Sequence, residues 1–179
     1  MASLHTPTLL FVIIVVSFTF TATLASVARR FQRDGMRYWA WGFALHSITY
    51  VLFVLRGQVS DWISVVLANA MLATSYALIS EGIQQFLQVR WSRRLVWAPV
   101  VLVPVLHAFL LDQPQARIAI AGLVIAWPSA LIVWQLASQR HQLVGRGAYF
   151  VMFSFSTIRL AFLARTVGAL SGQIGIGTI

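Results

Sequence analysis

An all-α membrane protein, a single domain formed by a bundle of about six transmembrane helices, is the fold this sequence predicts, and three observations predict it. Of 179 residues, 59% are hydrophobic and 9% charged, whereas soluble domains run near half apolar and about a quarter charged. The apolar stretches are roughly 17 to 25 residues long, which matches the ~20 needed to cross ~30 Å of hydrocarbon at ~1.5 Å per residue. Arginines also cluster in alternate connections, as a multi-pass chain requires.

The spans fall near residues 7–28, 38–55, 62–86, 95–111, 117–138 and 147–169. Backbone groups find no water partner in lipid, so each span must be helical unless strands close a barrel, and the unbroken apolar stretches lack the alternation of barrel strands. The first span starts near Thr8 with no Lys or Arg before it. It is longer than a secretory h-region and lacks a cleavage motif, so it reads as a membrane helix and not a signal peptide. In the second, Trp39, Gly42, His46, Tyr50 and Phe53 return to one face at spacings of three and four. The same arithmetic aligns Trp62, Asn69, Ala73, Tyr76 and Ser80 in the third, and the two faces are expected to point into the bundle, toward each other. The fourth span lies between Arg94 and Asp112. The fifth carries Trp127 followed by Pro128, which removes a backbone hydrogen bond and is expected to kink the helix at mid-membrane. The sixth contains Arg159. The closing stretch GQIGIGTI is too short and too glycine-rich for a seventh span.

The net charge of +9 comes from 13 basic residues, all of them Arg. In a soluble protein this would suggest nucleic acid. Here Arg29, Arg30, Arg33 and Arg37, then Arg90, Arg93 and Arg94, then Arg140 and Arg146 occupy the first, third and fifth connections, against Arg56, Arg117 and Arg165 toward the other side. The positive-inside bias places the N-terminus outside and the three basic loops in the cytoplasm, where they suit anionic head groups; membrane lipids are the expected partner and nucleic acid is not. Trp39, Trp41, Trp91, Trp97 and Trp134 near the basic boundary and Trp62 near the other read as interfacial anchors. Asp61, at the start of the third helix, is expected to clasp Arg56 across a short turn.

Arg159 is the strongest oddity, because a guanidinium at mid-span costs roughly 2.5 to 3.5 kcal/mol on insertion scales unless solvated or paired. Glu81 is the one carboxylate well inside a predicted span, and a direct pair between them is stretched in depth. The functional reading is a midplane pocket lined by Arg159, His46, Asn69, Tyr76, Trp127 and Tyr50, beside the Pro128 kink, with Arg159 holding a small anionic or carbonyl-bearing ligand. The competing reading is a structural polar network. No cofactor is expected. Haem between His46 and His107 is the alternative use of the histidines, and the different depths of the two rings count against it, as they do against a metal. Without Cys, thiolate sites and disulfides are excluded. No phosphate loop, zinc signature, nucleophile elbow or catalytic carboxylate pair occurs, so no enzyme activity is expected of these 179 residues.

The stretch from Tyr38 to Phe86, YWAWGFALHSITYVLFVLRGQVSDWISVVLANAMLATSYALISEGIQQF, has an aromatic start, an Arg56–Gly57 turn, Asp61 to Ser64, and Ala68–Asn69. It resembles the N-terminal membrane sensor regions of bacterial GGDEF proteins, the diguanylate cyclases. The resemblance covers about a quarter of the chain by motif and the rest by hydropathy pattern. It implies a multi-pass, homodimeric input module in the bacterial inner membrane, with a seventh span, a helical linker and a cytoplasmic domain that makes cyclic di-GMP from GTP. The chain contains no GGDEF signature, so cyclase activity would belong to a longer parent. Two other classes stay open: a small transporter or channel built from two inverted three-helix repeats, which substrate flux would reveal, and a structural membrane subunit, which predicts no bound ligand.

Overall fold

The computed structural model describes residues 6–28, 34–139, 141 and 147–170, leaving aside the side chains of residues 6, 7, 165, 169 and 170. Six α-helices follow one another: α1 Thr6–Ala28, α2 Met36–Val54, α3 Ala68–Phe86, α4 Arg93–Phe109, α5 Pro114–Ser138 and α6 Gly147–Leu170. The third span opens differently from expectation, because Trp62–Leu67 is π-helical and runs directly into α3. Among the described residues there is no strand, and the Arg56–Gly57 turn is closed by Leu55, whose carbonyl accepts from the amides of Gln58 at 2.9 Å and Val59 at 3.2 Å. Gly57 takes a φ of 84°, which explains a glycine there.

Four segments are long and apolar enough to cross a membrane: Thr8–Ala28, Trp62–Phe86, Pro114–Ser138 and Gly147–Gly168. That is the composition of a membrane protein. Helix α4 has 17 residues and falls short in length, while α2 carries Arg37 and His46, which lower its hydropathy. Arg29, Arg30, Arg33, Arg140, Arg146 and the closing residues 171–179 lie outside the described residues, as does the side chain of Arg165.

Helix α3 is the centre. Twelve of its residues are buried, including Leu72, Tyr76, Ile79 and Ile83, which form one apolar cluster with Ile125, Ile132 and Leu136 of α5. Helix α1 packs chiefly on α2 and α6 chiefly on α5, so both sit at the periphery. They expose Phe11, Phe18, Phe150, Phe153 and Leu160. In water this would be an aggregation-prone surface; in a bilayer it is the lipid-facing side.

Lipid gives no hydrophobic drive between helices, so close approach depends on small residues. Where α2 meets α3, a side chain on Gly82 would overlap the Trp39 indole, and one on Gly42 would lie 3.0 Å from Ile79. Gly35, at a φ of 73° just before α2, rests directly against the Gly82 carbonyl. Where α5 meets α6, Gly122 faces Thr166, whose hydroxyl is shared between the carbonyls of Phe162 at 3.0 Å and Ala119 at 3.2 Å. Buried polar groups bridge α3 and α5: the Ser80 hydroxyl of α3 donates to Gln135 Oε1 of α5 at 3.0 Å and accepts from its Nε2 at 2.8 Å. At the end of the bundle away from Arg37, Arg90 and Arg93, Asp61 meets Arg117 across 3.7 Å, joining the start of the third segment to the first turn of α5, where the sequence predicts a clasp with Arg56.

Candidate functional site

The predicted α2 face does point at α3. The Trp39 indole donates to the Ile79 carbonyl at 3.2 Å, Gly42 lies against Ser75 and Ile79, and one helical turn further His46 sits edge-on to Tyr76 with ring centroids 6.4 Å apart. His46 also packs on Tyr50 at 4.8 Å, and its Nδ1 shares a 3.0 Å hydrogen bond with Ser17 of α1. Tyr50 stacks edge-on to Phe53 at 5.6 Å, and Tyr76 meets Phe155 of α6 at 6.2 Å. An aromatic and polar cluster therefore links α1, α2, α3 and α6.

Arg159 lies one turn beyond Phe155 on α6. It is half-buried, and its Nε is enclosed by protein without a hydrogen-bond partner. Counting ~1.5 Å per residue from the basic end of each helix places His46 and Tyr76 about 15 Å in, Arg159 about 18 Å and Tyr50 about 21 Å, comparable distances of roughly half the ~30 Å thickness of a hydrocarbon core. Arg159 and Glu81 do not pair: Glu81 accepts a hydrogen bond from the Trp97 indole at 2.9 Å. A guanidinium N–H buried without an acceptor is costly, and a carboxylate, phosphate or carbonyl oxygen would satisfy it.

Two residues predicted to line the pocket, Asn69 and Trp127, are otherwise engaged. Asn69 is buried but spends its amide on the Val65 carbonyl, at 2.7 Å, where the π-helical segment passes into α3. Trp127 is 49% exposed, and its indole donates to the Leu95 carbonyl of α4 at 3.1 Å. That bond has a clear cause: Pro99, four residues after Leu95, has no N–H to give, so the Leu95 carbonyl lacks its helical donor. Pro128 is buried within α5, which continues helical through it to Ser138, and Ser129 donates to the Ile125 carbonyl at 2.7 Å. Trp62, placed on the inward stripe of the third span by spacing, is 59% exposed.

The histidines are committed to separate helices. His107 is buried in α4, and because a carbonyl can only accept, its Nδ1–H donates to Val103 O at 2.9 Å. Among the described residues no group of three or more His, Asp or Glu is placed to hold a metal ion.

Comparison with protein-family models, curated proteins and solved structures found no match to this chain.

Proposed function

We propose that the chain is a multi-pass membrane signal-input region of the bacterial inner membrane, N-terminus outside, with α2 and α4 completing six spans and a ligand held at mid-depth between α2, α3 and α6. The observation that carries this reading is the buried, unpartnered Nε of Arg159, one turn along α6 from Phe155, whose ring packs on Tyr76 of the His46–Tyr50–Tyr76 cluster. A small ligand with an anionic or carbonyl group would bond the guanidinium and set its apolar part against the aromatic rings.

Signalling then follows from where α6 sits. It packs chiefly on α5, through the Gly122–Thr166 contact, and touches α3 through Phe155. A ligand bridging Arg159 to α2 and α3 favours the arrangement with α6 drawn inward, and the population shifts by the difference in its affinity for the two packings. With the N-terminus outside, α6 ends on the outer side, so a seventh span in a longer, dimeric parent would carry that shift to a cytoplasmic output domain of the diguanylate cyclase type.

A carrier is the second reading, favoured by the interruptions in otherwise regular spans: Pro99 and Pro104 in α4, Pro128 in α5, and the π-helical opening of the third span. Reconstitution separates the two. A sensor, given its ligand in proteoliposomes, shows slower amide exchange along residues 155–164 with no flux; net ligand transport across the vesicle wall would replace the sensor reading with the carrier.

A further inference from the structure

At the basic end of the bundle the chain leaves α3 at Phe86 and passes through Gln88, which holds a φ of 54°, before α4 begins at Arg93. This turn frames an open cleft of about 870 Å³ lined by Tyr38, Glu81, Gln84, Arg90, Trp91 and Arg93 among others. It is separate from the Arg159 cluster, and three features of it ask for a ligand.

The first is Gln84. It is 6% exposed, and its Oε1 accepts the Trp91 backbone N–H at 2.7 Å. A backbone N–H only donates, so the amide orientation is fixed and the Nε2 end, buried and rich in donors, is left with no acceptor in the protein. The second is charge. Arg90 and Arg93 line the cleft together with Glu81, yet among the described residues none of the three forms an ion pair, and Glu81 uses Oε1 on the Trp97 indole while Oε2 takes no hydrogen bond from them. Charges of both signs thus share one cleft without neutralising each other. The third is the start of α4, a 17-residue helix whose N-cap, Ser92, makes no side-chain cap; Leu95 and Val96 donate to the Ser92 carbonyl, and the N–H groups of Arg93 and Arg94 add donors at the same place.

We propose that this cleft seats the headgroup of a zwitterionic phospholipid, with the phosphate against Arg90, Arg93 and the Gln84 amide and the ammonium toward Glu81. The exposed Phe86 ring beside the turn gives the acyl chains an apolar path. A purely anionic lipid would satisfy the arginines and leave Glu81 opposed to it, whereas a headgroup carrying both charges complements both walls. The inference rests on the bundle lying in a membrane and is independent of the ligand at Arg159.

The test is native mass spectrometry of the delipidated 179-residue protein given equimolar phosphatidylethanolamine and phosphatidylglycerol with identical acyl chains. The ethanolamine lipid is expected to bind about tenfold tighter. Arg93→Gln, a surface change that leaves folding intact, should weaken it about tenfold. Glu81→Gln, which keeps an acceptor for Trp97, should abolish the preference and leave phosphatidylglycerol binding in place. Equal binding of the two lipids, or variants that bind like the wild type, would overturn the proposal. Displacement of bound lipid by an equal concentration of soluble phosphoethanolamine would overturn the assignment to a lipid. Loss of selectivity here with an Arg159-dependent adduct still present removes this cleft and leaves the proposed sensor site standing.

Discussion

The Ser80–Gln135 pair ties the central helix to α5 and gives a quantitative test of the fold. Both residues are almost fully buried, and one hydroxyl satisfies both ends of the amide, at 3.0 and 2.8 Å. Interhelical side-chain bonds in membranes average about 0.6 kcal/mol and reach about 1.7. Stranding a buried polar group adds a penalty of ~1–3 kcal/mol. Ser80→Ala strands both ends of a primary amide and should destabilise by about 2 kcal/mol. Gln135→Leu conserves volume and strands only a hydroxyl, which can turn back to the Tyr76 carbonyl one turn earlier, so its cost should be about 0.5–1 kcal/mol. The double variant leaves no polar group unsatisfied and should fall short of the sum of the single effects by about 1 kcal/mol or more. Reversible unfolding in mixed dodecylmaltoside–SDS micelles, followed by tryptophan fluorescence, measures all three. Effects that add within about 0.3 kcal/mol would refute the contact, since uncoupled sites add to that tolerance.

Two further substitutions probe the crossings. Gly82→Val places a branched side chain where the Trp39 indole and Gly35 now lie; the same micelle titration should show a loss of more than about 2 kcal/mol, in the range of overpacked sites. Trp127→Phe removes the donor to the Leu95 carbonyl and should cost about 1 kcal/mol. In a Pro99→Ala background, where residue 99 regains the N–H that Leu95 needs, the same change should be nearly neutral; an equal cost in both backgrounds would break the link between Trp127 and Pro99.

Helix positions were legible because span length and apolar composition depend on the bilayer and not on packing: 62–86 and 117–138 correspond to Trp62–Phe86 and Pro114–Ser138. The α2 face was legible for a similar reason, since a helix at the edge of a cluster has one inward stripe, and Trp39, Gly42 and His46 all touch α3. Helix α3 defeated the same reasoning because it is buried on several sides, so Tyr76 faces α2 and α6 while Ser80 faces α5. The π-helical opening has no compositional signal; Asn69 reads as an interhelical amide and instead serves its own helix. Trp127 reads as a pocket wall because Pro128 adjoins it, whereas the proline that sets its position is Pro99, four residues after the carbonyl that Trp127 caps. Gln84 and Gln135, amides inside apolar segments, were the visible sign of the two buried polar sites that periodicity passed over.

The measurement that bears most directly on the central claim is native mass spectrometry of the protein released straight from membranes, with an absorption spectrum on the same sample, for the wild type and Arg159→Gln. A wild-type adduct of defined small mass, absent from Arg159→Gln at equal thermal stability, is the expected result, and a Soret band would identify that adduct as haem. A clean unliganded mass for both proteins, or the same adduct on both, would contradict a ligand at Arg159 and leave the cluster as a structural polar network.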